Sequence, residues 1–124
     1  MDFSEYFEPI NINEGDLNFH YKDNQFLNAI EIFSDQDISE FKIALIGVGE
    51  ERNSNNQGCS EAPNNVRKYL YRLIKPSTST KIIDLGNLKI GATPQDTYFA
   101  LSSIIEHLVK KNVLPIIIGG SQDL

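Results

Sequence analysis

Two apolar runs that break off in glycines limit what this chain can fold into. The later one, Asn112-Val-Leu-Pro-Ile-Ile-Ile-Gly-Gly-Ser-Gln-Asp-Leu124, carries Val113, Leu114, Ile116, Ile117 and Ile118 with no polar alternation. That pattern predicts a parallel strand covered on both faces rather than a half-exposed antiparallel one. Gly119 and Gly120 end the run and let backbone approach a ligand closely. They leave Ser121, Gln122 and Asp123 at the carboxyl end of a strand, where open α/β sheets bind their ligands. The earlier run, Phe41-Lys-Ile-Ala-Leu-Ile-Gly-Val48, is equally apolar and is closed by Gly47 and Gly49. It predicts a central strand.

Between the two runs the pattern alternates between strand and helix. Glu50 to Glu61 is a polar loop containing Asn53-Ser-Asn-Asn-Gln57, longer than a compact βα unit needs and therefore expected to be functional. A helix is expected from Pro63, with Val66, Leu70, Leu73 and Ile74 as its apolar stripe, Arg67, Lys68 and Arg72 off that stripe, and Lys75-Pro76 as its stop. Lys81 to Leu85 reads as a second, shorter strand. Thr93-Pro-Gln-Asp96 resembles a capping box. The helix it opens is expected to run through Tyr98, Leu101, Ile105, Leu108 and Val109 to Lys110-Lys111, with Asn112 as C-cap. The result is βαβαβ with parallel strands and right-handed crossovers. The expected spatial order is second, first, third strand, which makes the gap between the first and third a topological switch point.

Upstream, residues 1–40 read as an irregular arm that packs Phe3, Tyr6, Phe7 and Phe19 on a surface. Asn24 to Phe33 fits either a helix face or strand alternation, and a short extra strand is favoured. Residues 41–124 form the α/β unit. Because the sequence ends one residue after the last turn, where a helix should follow, the unit is expected to be an incomplete domain and the chain a fragment.

Composition excludes several classes. A net charge of -6 and a pI near 4.8 leave no clustered Lys and Arg for nucleic acid. Neither a bilayer-spanning run nor a signal peptide is visible, and the single cysteine, Cys59, permits no internal disulfide. A cytoplasmic location is expected. Gly47-Val-Gly49-Glu-Glu-Arg52 begins like a dinucleotide fingerprint, but Arg52 stands where the third glycine should be, and no Gly-Lys-Ser/Thr occurs. His20 and His107 lack metal-ligand spacing and read as surface or satisfied histidines, and Cys59 as an unreactive thiol. Asp84, beside Leu85-Gly86, suits capping of the following turn, so a structural role weighs at least as much as a functional one.

Taken together, Ile43 to Gly49, the loop with Asn56, Gly58 and Ala62-Pro63 leading into Val66-Arg67-Lys68-Tyr69-Leu70, then Asp84-Leu-Gly86 and Ile116 to Asp123 resemble the arginase, agmatinase and formimidoylglutamase family. The resemblance covers residues 41–124, the amino-terminal half of the family's domain. It implies a three-layer α/β/α fold with a parallel sheet and a trimeric or hexameric homo-oligomer. It also implies hydrolysis of a C–N bond in a small linear amidine or guanidine by a hydroxide bridging two manganese ions. Asn56, Gly58, Gly119 and Gly120 would then line the crevice.

One position departs from the family. Its Gly-Gly-x-His turn supplies a metal ligand, whereas this chain reads Gly119-Gly120-Ser121-Gln122, and a neutral carboxamide is a poor ligand for a divalent ion. Gln122, Asp123 and Asp84 are the most that the chain could offer a metal. The chain itself is therefore expected to bind no manganese tightly and to be inactive. Three readings stay open: part of a formimidoylglutamase-like hydrolase, a non-catalytic homologue kept for binding or assembly, or a nucleotide-binding α/β domain.

Overall fold

The computed structural model describes residues 1–10 and 23–124. Phe19 and His20, which carry two of the expectations above, lie outside the described residues. The strands are β1 (Phe7–Glu8), β2 (Ile30–Ile32), β3 (Ile43–Val48), β4 (Ile82–Leu88) and β5 (Leu114–Gly119), and the helices are α1 (Ala62–Leu70) and α2 (Pro94–Lys110). The sheet runs β1-β4-β3-β5, so the expected order of the three long strands holds. β4 and β5 are both parallel to β3. β2 adds in parallel along the other side of β4, as the extra strand expected between Asn24 and Phe33, and β1 adds there in antiparallel. Among the described residues, β1 is the one antiparallel strand of the sheet, and Phe3 and Phe7 are buried.

Alternation along β3 assigns each face its helix. Ala44, Ile46 and Val48 join Ile83, Leu85 and Leu88 of β4 and Leu101, Ile104 and Leu108 of α2 in one buried cluster. Phe3 and Phe7 close the same cluster, with Phe3 packed edge-on against His107 at 5.3 Å between ring centres. Burial there holds the His107 imidazole below its ordinary value. Gly47 faces the opposite side, where an added Cβ would collide with Asn87, Pro63 and Arg67. Only glycine lets α1 lie this close to the sheet.

The buried face of α1 is not the apolar stripe that the spacing suggested. Pro63, Arg67 and the following Tyr71 are buried, whereas Val66, Leu73 and Ile74 are exposed and the helix ends at Leu70. The reason is chemical. Arg67 donates from Nε and Nη2 to both oxygens of Asp84 at 2.9 and 3.0 Å, and the Tyr71 hydroxyl donates to Asp84 Oδ2 at 2.6 Å. Burial pushes the Tyr71 hydroxyl well above its ordinary value, with the Asp84 charge adding to the shift. Asp84 also accepts from the Gly86 N–H at 3.0 Å, the turn-capping contact anticipated for it. β4 runs on to Leu88, beyond the expected Leu85, and a register shift against β3 accommodates an extra residue there.

α2 begins with the anticipated capping box. Thr93 Oγ1 accepts from the Asp96 N–H and Asp96 Oδ2 from the Thr93 N–H, with Pro94 in the first turn. Its buried residues are Thr97, Leu101, Ile104 and Leu108, while Val109 is exposed. Lys111 rather than Asn112 is the C-cap, and Asn112 follows in the left-handed region at φ 60°. β5 departs from expectation in one respect. It is not covered on both faces, because Leu114 and Ile116, on the α1 side, are 60% and 41% exposed.

Candidate functional site

The carboxyl ends of β3 and β5 lie side by side, with Val48 paired to Gly119, and the chain leaves both strands into loops that meet. Gly120 adopts φ +29°, and a side chain there would strike the carbonyl oxygens of Val48 and Glu50. The Ser121 N–H then donates to the Glu50 carbonyl at 2.8 Å. The two turns are therefore joined through backbone, which requires glycine at position 120.

Beneath this junction lies a buried carboxylate. Glu50 is 1% exposed and accepts from Arg52 Nη2 at 2.6 Å and Nε at 3.0 Å. The Arg52 guanidinium holds the Glu50 carboxyl below its ordinary value against the opposing effect of burial. Arg52 also donates to the carbonyls of Ala92 and Gly91 at 2.8 and 2.9 Å, which ties the loop after β3 to the connection entering α2. Further along, Glu51 Oε2 accepts from the N–H groups of Gly58 and Ser60 at 2.9 and 3.0 Å. The polar loop is thus held from its start to the beginning of α1.

The exposed rim carries a second knot. Asp123 Oδ2 accepts from the Tyr98 hydroxyl and from Asn53 Nδ2, and Oδ1 accepts from the Ser121 hydroxyl. Asn53 Nδ2 also reaches the Tyr98 oxygen at 2.8 Å. These donors, Ser121 foremost, hold the Asp123 carboxyl down at about 2 although the side chain is exposed to solvent.

The residues singled out from sequence separate in this geometry. Gly119, Gly120, Gln122 and Asp123 lie at the carboxyl end of β5 beside that of β3, with Gln122 exposed. Asn56 and Gly58 are tied to their own loop, through the Ser54 hydroxyl and the Glu51 carboxylate. Asp84 is not at the crevice, since Arg67 and Tyr71 enclose it under α1. The Gly47-Val-Gly49 turn does not open a helix, because Arg52 folds back onto Glu50 and α1 starts only at Ala62. The dinucleotide arrangement is therefore not formed. Glu50, Arg52, Asn53 and Tyr98 were missed by sequence reasoning. Charged residues directly after a buried strand were the available signal for the first two.

The sequence model of the arginase family matches residues 41–124. This chain belongs to the arginase family. A search of curated proteins gives no match. Among solved structures, the formiminoglutamase of Trypanosoma cruzi with Mn2+2 superposes with a TM-score of 0.68 at 25% identity, covering 82% of this chain and 37% of that one. The oxidized form of that enzyme at pH 4.6 gives 0.67 at 25% identity, covering 82% and 38%. The arginase-family chain thus spans well under half the length of the structures it matches. No helix among the described residues is long and apolar enough to cross a membrane.

One of these relatives holds manganese. Among the described residues no group of three or more His, Cys, Asp and Glu side chains could hold a metal ion. Gln122 offers a neutral amide, and both Asp123 oxygens already accept hydrogen bonds. The depressed Asp123 value has a sign that can be checked. Its hydrogen bonds contribute stability above the ordinary 3.8, and that contribution is lost as the pH falls toward 2. An NMR titration of the carboxyl carbon should give a midpoint near 2, moving up toward 3.8 in Ser121→Ala and Tyr98→Phe. A wild-type midpoint at the ordinary value would contradict the knot.

Proposed function

We propose that this chain is the amino-terminal part of an arginase-family hydrolase, formiminoglutamase-like, whose whole protein acts on a C–N bond of a small linear amidine or guanidine. In this reading residues 41–124 are an incomplete arginase-like α/β domain preceded by the arm of residues 1–40, and the chain as it stands is not catalytic. The observation that supports it is the junction of the turns after β3 and β5 within a fold matching formiminoglutamase over 82% of the chain. Asn56, Gly58, Gly119 and Gly120 are proposed to border that crevice. A bridging hydroxide needs several carboxylate and imidazole ligands to hold two ions and acidify the water between them, and the described residues do not supply that set.

A second reading, a non-catalytic homologue used for binding or assembly, is favoured by one observation. The turn at the family's histidine position carries Gln122 and is fastened by the protein's own side chains through Asp123. A longer protein carrying this segment separates the two readings. With a downstream Asp-x-His-x-Asp cluster it should hydrolyse a linear amidine in the presence of manganese, and without such a cluster the second reading stands. For the chain itself, metal analysis after dialysis should find no retained manganese. Assays for release of urea, ammonia or formamide from arginine, agmatine or formimidoylglutamate should likewise find no turnover. Two equivalents of manganese, or turnover lost in Gln122→Ala, would contradict the proposal.

Assembly is part of the same reading. β5 pairs only with β3 among the described strands, and Leu114 and Ile116 expose apolar surface beside its open edge. Such an edge favours pairing with another chain. Sedimentation should show self-association that grows with concentration and weakens in Ile116→Lys. A monomer at every concentration would count against it.

A further inference from the structure

We infer that Asn53, Tyr98 and Asp123 form a clasp across three crevice segments, fixing the turn after β5 by hydrogen bonds where a metal-ligating side chain would otherwise fasten it. The three residues come from the loop after β3, the second turn of α2 and the turn after β5. They lie 45, 70 and 25 positions apart in sequence. Two of the three supports are independently held. Tyr98 stands next to the buried Thr97, whose hydroxyl accepts from the Gly91 N–H at 3.0 Å, on a helix fixed by its capping box. Asn53 follows Arg52, which is anchored to Glu50 and to the Gly91 and Ala92 carbonyls. The third support, the short turn from Gly120 to Asp123, is bonded through backbone in Ser121 N–H to Glu50 O and followed by Leu124 on the core, and Asp123 adds a side-chain attachment to the rim among the described residues.

Asp123 collects two hydroxyls and an amide, each of which has its own anchorage or lies within the turn. Charge-assisted bonds of this kind are stronger than neutral ones, so one such bond can decide how often a short turn opens. The backbone beside Gln122 is then kept in place whether or not a cation is present.

Amide hydrogen exchange on the protein tests the clasp at the Ser121 N–H, which reports on the turn, and at Ile83 and Leu85, which report on the sheet. Tyr98→Phe and Asp123→Ala should each speed exchange at Ser121 roughly tenfold or more, the effect of losing one hydrogen bond to a charged group, and leave the β4 amides unchanged. Asp123→Asn, which keeps an acceptor for Tyr98, should restore part of the protection. If Tyr98→Phe loosens the β4 amides as well, Asn53→Ala at the exposed rim provides the reading at Ser121. Wild-type exchange at Ser121 should be the same with added manganese or with chelator. Unchanged exchange in Asn53→Ala and Asp123→Ala would overturn the clasp alone. Faster exchange on chelation would overturn both the clasp and the metal-free reading of the turn.

Discussion

The Arg67–Asp84 pair decides where α1 lies, and the crevice loop depends on α1. Both side chains are almost wholly removed from water, and the guanidinium meets both carboxylate oxygens. Burying two charges costs more than their attraction readily returns, unless the geometry is good and other hydrogen bonds complete the set. Here Tyr71 and the Gly86 N–H complete Asp84, and Asn87 and Asn64 accept from Arg67 Nη1 at 2.6 and 3.3 Å. A two-pronged ion pair permits one position, and Gly47 removes the side chain that would block it.

From that position the chain runs back through the Cys59–Glu61 turn and the loop to the end of β3. Glu51 fastens the α1 end of the loop and Glu50 with Arg52 fastens the β3 end. A segment that composition alone would class as flexible is consequently ordered by two adjacent carboxylates with different tasks. One is buried and paired with a cation, and the other is half-buried and accepts backbone N–H groups. The crevice of this arginase-family chain is in this way built from hydrogen bonds between loops, with the sheet edge as its floor.

The parts legible in the sequence are those whose signal is local. β3 and β5 announce themselves by continuous apolar residues ending in glycine, and α2 by Thr93, Pro94 and Asp96. The sheet order followed from the alternation of such strands and helices, and the family from the order of the Ile43–Gly49, Asn56–Leu70, Asp84–Gly86 and Ile116–Asp123 motifs. What could not be read depends on partners distant in sequence. Helical spacing of Val66, Leu70, Leu73 and Ile74 outweighed Arg67 because an arginine counts as polar until Asp84, 17 positions on, is known to face it. Leu114 and Ile116 look like core residues in a list of apolar positions, yet no described element covers them. Asn53 and Tyr98 have no local motif at all, since their role exists only once the β5 turn brings Asp123 between them.

A double-mutant cycle on Arg67 and Asp84 tests this account most directly, with Arg67→Met and Asp84→Leu made singly and together and stability read by denaturant unfolding. Each single change leaves a buried charge without its partner and should cost about 3–5 kcal/mol. The double variant should be more stable than either, with a coupling of about 2 kcal/mol or more. Two costs that simply add would show that the pair does not set the position of α1, and the dependence of the crevice loop on it would fall with that result.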